Sequence, residues 1–79
     1  MKVLLFAQSR LAAGTDECIL KPDGVVTQAE FWTLLEKTYP ALAAHRKSAR
    51  LARNGAYLEE GEFLHPDDEI AVIPPVSGG

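Results

Sequence analysis

The sequence predicts an α+β fold, in which one main helix packs on a mixed sheet of four to five strands. Two apolar segments without polar alternation, residues 3–7 and 70–73, have the pattern of central strands buried on both faces. Between them, Thr27 and Glu30 mark the start of a helix. The pair Asn54-Gly55 favours a tight hairpin, because both central residues of a type I′ turn need a positive φ.

The composition is that of one small globular domain. With 79 residues, 47% of them hydrophobic and 24% charged, the chain has room for a single core, and we predict one domain over residues 1–79 with an extended tail from residue 74. A net charge of −3 argues against a nucleic-acid partner, and no apolar segment is long enough to cross a membrane. The lone cysteine, Cys18, cannot form an internal disulfide, so we expect a cytoplasmic protein.

The first half of the chain predicts a hairpin. Residues 2–7 have the pattern of the first strand, and residues 17–21 that of the second. Residues 13–16 are typical turn formers, so we expect the two strands to be joined there.

The main helix has well-marked ends. The Thr27 hydroxyl and the Glu30 carboxylate are spaced for a capping box, and Pro40 should stop the helix at Tyr39. Trp32 lies off the main apolar stripe, and we assign it to the core rather than to a stacking surface.

The second half predicts three further strands. Residues 41–45 are expected to add a short helical turn that carries Leu42 into the core. Residues 49–53 and 56–58 flank the hairpin turn, and residues 69–73 form the last strand, apolar on both faces.

One helix can cover only one face of such a sheet. Because the first and last strands are apolar on both faces, the second face lacks a cover within this chain. Exposed apolar surfaces of this kind commonly bind another protein, so we expect a docking surface that includes Phe6 or Ile73. The alternative is a sheet that curls enough to shield itself.

The sequence shows no pattern typical of a catalytic centre or a metal site. His45, His65 and Cys18 lack the spacing of zinc ligands, and we interpret them as surface or structural residues. Basic residues gather over positions 46–53 and acidic residues over 59–69. We interpret both groups as solvated faces, with partner docking as the alternative.

The segment Pro74-Pro75-Val76-Ser77-Gly78-Gly79 has the composition of a projecting tail. The prolines favour an extended backbone and remove two donors, and the final glycines fit passages too narrow for a Cβ atom. At about 3.1 Å per residue, the tail reaches on the order of 18 Å, enough to enter another protein's active site. We expect the Gly79 carboxylate to be the reacting group; a frayed terminus is the alternative.

This tail and the order of elements resemble those of the ubiquitin-like β-grasp sulfur carriers, specifically the small subunit of molybdopterin synthase. The resemblance rests on the ending Asp68-Glu69-Ile70-Ala71-Val72-Ile73-Pro74-Pro75-Val76-Ser77-Gly78-Gly79 and is supported by the opening Lys2-Val3-Leu4-Leu5-Phe6-Ala7-Gln8-Ser9-Arg10. Leu11, Asp67 and Ile73 depart from the family pattern, in which an acidic residue, a glycine and an aromatic residue are common at these places. None of these departures touches Gly78 or Gly79.

The resemblance implies a sulfur-delivery cycle. The Gly79 carboxylate would attack the α-phosphate of ATP in a partner adenylating enzyme, and sulfur would then replace the adenylate. The tail, residues 74–79, would next enter a catalytic large subunit, where the thiocarboxylate gives its sulfur to a cyclic pyranopterin monophosphate. No cofactor would be bound stably, because the partner uses the ATP, and the catalytic groups would belong to the partners.

Two other functions use the same tail chemistry. One is a ubiquitin-like modifier that is joined through Gly79 to lysines of target proteins. The other is a sulfur carrier for thiamine or tRNA thiolation, which the Pro-Pro-Val-Ser-Gly-Gly ending favours less. A catalytic activity of the chain itself has the least support.

Overall fold

A computed structural model describes residues 1–75 of the chain. These residues form five strands, two α-helices and one 3₁₀ helix. In chain order the elements are β1 (Lys2–Leu5), α1 (Ala7–Ala13), β2 (Glu17–Ile19), α2 (Gln28–Thr38), the 3₁₀ helix (Pro40–His45), β3 (Arg50–Arg53), β4 (Ala56–Tyr57) and β5 (Glu69–Ile73).

The strands form one mixed sheet in the order β2-β1-β5-β3-β4. The first and last strands, β1 and β5, pair in parallel at its centre, with Leu5 opposite Val72, and the other pairs are antiparallel. The predicted α+β class and the five-stranded sheet are confirmed, as is the central place of both apolar strands. Strands β2, β3 and β4 are each one or two residues shorter than the sequence indicates.

The core lies between one face of the sheet and α2. Alternate residues of the central strands are buried there, including Val3, Ile70 and Val72, and α2 adds Phe31 and Leu35. The predicted core positions Trp32 and Leu42 are also buried. Full burial of one such side chain stabilises the fold by roughly 1.5–3 kcal/mol relative to exposure, so this layer is the main source of stability.

Helix α2 has the boundaries that the sequence predicts. The Thr27 hydroxyl accepts a hydrogen bond from the Glu30 N–H (3.0 Å), and the Glu30 carboxylate accepts one from the Thr27 N–H (2.8 Å). The helix ends at Thr38, one residue before the expected Tyr39, which forms its C-cap. The hairpin turn is also confirmed, with φ of 50° at Asn54 and 90° at Gly55.

The connection between β1 and β2 corrects the sequence prediction. We expected a strand over residues 2–7 that led into a simple hairpin; instead β1 ends at Leu5, and helix α1 begins at Ala7. The prediction failed because the hydrophobic pattern of α1 is inverted: Ser9 is its buried residue, whereas Leu11 is 76% exposed. No apolar stripe therefore marks the helix in the sequence.

Candidate functional site

The second face of the sheet carries a shallow apolar depression. Leu4, Ala71, Ala52 and Tyr57 lie opposite one another in a row across β1, β5, β3 and β4. The depression is completed by Phe6, Gly55, Glu69 and Ile73. The structure thus brings the two predicted docking residues, Phe6 and Ile73, onto one surface.

The depression is open to solvent. The side chain of Phe6 is 47% exposed and that of Tyr57 is 53% exposed, while Leu4, Ala71 and Ile73 are half-buried. Among the described residues, none of those that line this face belongs to a helix. Phe6 is the residue immediately before α1. We conclude that the sheet does not curl enough to shield its apolar side. The alternative interpretation, a sheet that shields itself, is therefore wrong.

Arg50 and Tyr57 form a charged rim beside this face. The Arg50 guanidinium lies 3.9 Å from the centre of the Tyr57 ring, in the geometry of a cation–π contact. The other basic residues of this stretch are partly neutralised, since Arg46 pairs with Glu36 (3.2 Å) and Arg53 with Glu62 (2.7 Å). Two of the four basic residues in this stretch therefore form ion pairs within the described part of the chain, and Arg50 contacts Tyr57.

The tail leaves the body at one end of the open face. Ile73, the last residue of β5, lies opposite Arg50 of β3, and Pro74 and Pro75 follow outside any helix or strand. Pro74 is buried against the body, and Pro75 is exposed. Pro75 is therefore the first residue of the predicted tail that is exposed. The predicted tail residues Val76, Ser77, Gly78 and Gly79 lie outside the described residues.

Two polar side chains meet near this exit. The Ser9 hydroxyl lies 2.8 Å from Nδ1 of His45, which joins α1 to the 3₁₀ helix. No sequence signal pairs these residues, because 36 positions separate them. We interpreted His45 as a surface residue; it is half-buried and lines a shallow depression together with Pro74 and Pro75.

Cys18 has the environment of a structural residue. It lies half-buried in β2 and faces Val3 of β1, and burial raises the pKa of its thiol. A raised pKa disfavours the thiolate, which is the nucleophilic form of cysteine. The structural role that we predicted agrees with this environment, whereas a sulfur-carrying persulfide would need a more reactive thiol.

The described part of the chain shows neither a group of metal ligands nor a membrane-spanning helix. Over residues 1–75, no three His, Cys, Asp or Glu side chains are grouped to hold an ion. His65 lies 3.7 Å from Asp68 at an exposed turn. None of the helices described is long and apolar enough to span a membrane.

Comparison with known proteins agrees with this geometry. The chain is 40% identical over 80 residues to the molybdopterin synthase sulfur carrier subunit of Arabidopsis thaliana, covering 100% of this chain and 82% of the relative. It is 35% identical to the human protein of that name, covering 100% and 93%. The solution structure of small archaeal modifier protein 1 from Methanosarcina acetivorans superposes with a TM-score of 0.74 at 35% identity, covering 99% and 94%.

The fold, the open sheet face and the tail exit define a small ubiquitin-like β-grasp protein. A family model described as the ThiS family matches residues 3–79, and the chain belongs to that family. The predicted class, a sulfur carrier that resembles the small subunit of molybdopterin synthase, is confirmed at this level.

Proposed function

We propose that this chain is the sulfur-donating subunit of a molybdopterin synthase and that Gly79 carries the sulfur as a thiocarboxylate. The observation that carries the proposal is its likeness, over its whole length, to relatives named molybdopterin synthase sulfur carrier subunit. The placement of Pro74 and Pro75 at the end of a central strand supports it, because this exit presents the tail beside an open apolar face.

The proposed chemistry needs no catalytic group on the carrier. A carboxylate oxygen of Gly79 attacks the α-phosphorus of ATP in a partner adenylating enzyme, and pyrophosphate leaves. A sulfide-level nucleophile then attacks the acyl carbon, AMP leaves, and a thiocarboxylate remains. The activation step is required because a free carboxylate is a poor acceptor, and a terminal glycine adds no side chain near the reacting carbon.

The proposed partners are this adenylating enzyme and a large catalytic subunit. Within the large subunit, the thiocarboxylate sulfur would attack a carbon of a cyclic pyranopterin monophosphate, and water would then cleave the acyl–sulfur bond. This leaves the sulfur on the pterin and a carboxylate on Gly79. Residues 74–78 would insert as an extended strand of small side chains. ATP would bind to the partner and not to the carrier, and we propose that the cycle runs in the cytoplasm.

We assign docking to the open face of the sheet. The replacement Phe6→Asp places a charge in the depression, and it should weaken the affinity for the large subunit about tenfold or more, as loss of a central apolar anchor does. Aspartate is a favourable residue at the N-cap position that Phe6 occupies in α1, so the helix should persist. Titration calorimetry measures the affinity.

The control for docking is Val25→Asp. This residue is 54% exposed in the segment before α2 and lies outside the depression, so the charge should leave the affinity unchanged. Equal binding by Phe6→Asp and the unmodified chain would show that another surface docks.

Protein modification is the second candidate function. It is favoured by the structural likeness to small archaeal modifier protein 1. Intact mass spectrometry distinguishes the two functions after the chain is incubated with its adenylating enzyme, ATP and a sulfur source. Replacement of one oxygen by sulfur in the free chain supports the carrier, whereas lysine-linked conjugates without a thiocarboxylate support the modifier. A thiocarboxylate consumed only by thiamine or tRNA thiolation enzymes would assign the other carrier role.

A further inference from the structure

Two short helices lie beside the point where β5 ends and the tail begins. Pro74 and Pro75 share the wall of a depression with Gln8 of α1, with Ala44 and His45 of the 3₁₀ helix, and with Ser48 just beyond that helix. Pro74 itself is buried. The arrangement of the two helices therefore shapes the surroundings of Pro74.

A single side-chain hydrogen bond joins the two helices. The Ser9 hydroxyl and Nδ1 of His45 lie 2.8 Å apart, and Ser9 is the only buried polar residue among residues 1–75. A buried hydroxyl without a partner would cost roughly 1–3 kcal/mol, so the pair favours one arrangement of the helices over others. His45 links this bond to the start of the tail, because His45 and Pro74 line the same depression.

Helix α1 depends on such an attachment. It has seven residues, too few to be stable in isolation, and its only buried residue is Ser9. Other helices of the chain are held by large apolar side chains, such as Phe31 in α2 and Leu42 in the 3₁₀ helix. Loss of the Ser9–His45 bond should therefore loosen α1 against the 3₁₀ helix and leave the main core in place.

We infer that Ser9 and His45 are positioning residues for sulfur loading: their hydrogen bond fixes the two helices beside Pro74 and so sets the backbone direction at Pro74, where the tail begins. This inference rests on the proposed function. Gly79 is five positions beyond Pro74 in the sequence, so the placement of its carboxylate in the adenylating enzyme would depend on how the tail begins at Pro74. Alignment of that carboxylate with the α-phosphate governs the rate of adenylation, while docking of the body governs affinity.

The test compares variants in the complete adenylation reaction. The variants Ser9→Ala and His45→Phe remove the bond, whereas His45→Asn keeps a polar atom near the position of Nδ1. We measure kcat and KM for the carrier by pyrophosphate release and thermal unfolding of each variant. We expect kcat to fall about tenfold or more in the first two variants, KM to stay within about twofold, and His45→Asn to restore most of the rate.

Gln28→Ala is the matched control. The Gln28 amide also joins a helix to another segment, since it donates to the carbonyl oxygens of Glu59 (2.8 Å) and Glu62 (3.1 Å). None of these three residues lines the depression around Pro74. A general loss of rigidity would lower kcat in this variant as well, whereas the inference predicts an unchanged kcat.

Each outcome separates the inference from the proposed function. If the unmodified chain forms no thiocarboxylate, the proposed function fails and the inference fails with it. If the unmodified chain is loaded and both bond-removing variants keep its kcat, the inference alone is overturned. A fall of kcat that His45→Asn does not restore, and that follows the loss of thermal stability, would also overturn it. If Ser9→Ala does not fold, the kcat values of His45→Phe and His45→Asn decide whether the inference holds, because the His45 ring is only half-buried.

Discussion

Ala7 adopts a left-handed backbone, with φ of 49°, at the point where β1 gives way to α1. This conformation costs an alanine roughly 1–2 kcal/mol, because its Cβ atom approaches the following carbonyl oxygen. Strain of this kind persists where the surroundings determine the backbone, and here Ala7 stands between Phe6 on the open face and Gln8 at the tail exit. The strained turn thus places residues of both parts of the candidate site.

Replacement of Ala7 by glycine should relieve this strain. Glycine adopts positive φ freely, and after its larger entropy in the unfolded chain is subtracted, we expect the free energy of unfolding to rise by about 0.5–1 kcal/mol. Chemical denaturation measures the change. Ala12→Gly, in an exposed position of the same helix, should lower the stability by about 0.5–1 kcal/mol. Destabilisation by both changes would show that Ala7 is not strained.

Glu62 gives the fold a dependence on pH. Its carboxylate accepts a hydrogen bond from the Glu59 N–H and pairs with Arg53. The hydrogen bond from Glu59 is the largest effect, and together with Arg53 it lowers the pKa of Glu62 below its ordinary value of 4.5. Burial raises this pKa but does not outweigh the two contacts. A carboxyl group whose pKa is lower in the folded state stabilises the fold above its unfolded pKa. This contribution is lost as the pH falls through the folded value.

The replacement Glu62→Gln should therefore flatten the acid side of the stability profile. Thermal unfolding measured from neutral pH down to about pH 3 should show a smaller loss of Tm in the variant than in the unmodified chain. Glu60→Gln is the control, since Glu60 makes no ion pair within residues 1–75. Profiles of identical shape for all three proteins would contradict the assigned role.

At the scale of elements, helix α2 shows what local sequence determines. Thr27, Glu30 and Pro40 act within a few residues of the helix ends, so its start and end were predictable. The Asn54-Gly55 turn was predictable for the same reason. Helix α1 was not, because the hydrogen bond of Ser9 with a residue 36 positions away takes the place of an apolar stripe.

The capping box should be worth a measurable part of the stability of α2. Thr27→Ala removes the hydroxyl that accepts from the Glu30 N–H, and we expect a loss of about 1 kcal/mol in the free energy of unfolding by chemical denaturation. Thr33→Ala provides the comparison, because its exposed hydroxyl only bonds back to the Ala29 carbonyl (3.1 Å) within the helix. That change should stay within about 0.5 kcal/mol. Equal losses of unfolding free energy in the two variants would show that the Thr27 cap contributes no more than the Thr33 hydroxyl.

At the scale of the molecule, the parallel pair β1 and β5 connects the open face with the tail exit. Leu4 and Ala71 lie side by side on the open face, and one end of the pair leads into Phe6 and Pro74. The sequence predicted an uncovered face from strands apolar on both sides, and it named Phe6 and Ile73. It left open which residues face outward, and Tyr57 was missed because its place depends on the register between β3 and β4.

We propose that the Gly79 carboxylate is the group that receives and delivers sulfur. This role is tested most directly by one alanine appended after Gly79, with the product measured as molybdopterin formed by the complex with the large subunit, the adenylating enzyme, ATP and a sulfur source. The added residue leaves the open face and the body unchanged. We expect the extended chain to bind the large subunit as the unmodified chain does and to form no thiocarboxylate and no molybdopterin. Molybdopterin formation at the normal rate by the intact extended chain would contradict the mechanism.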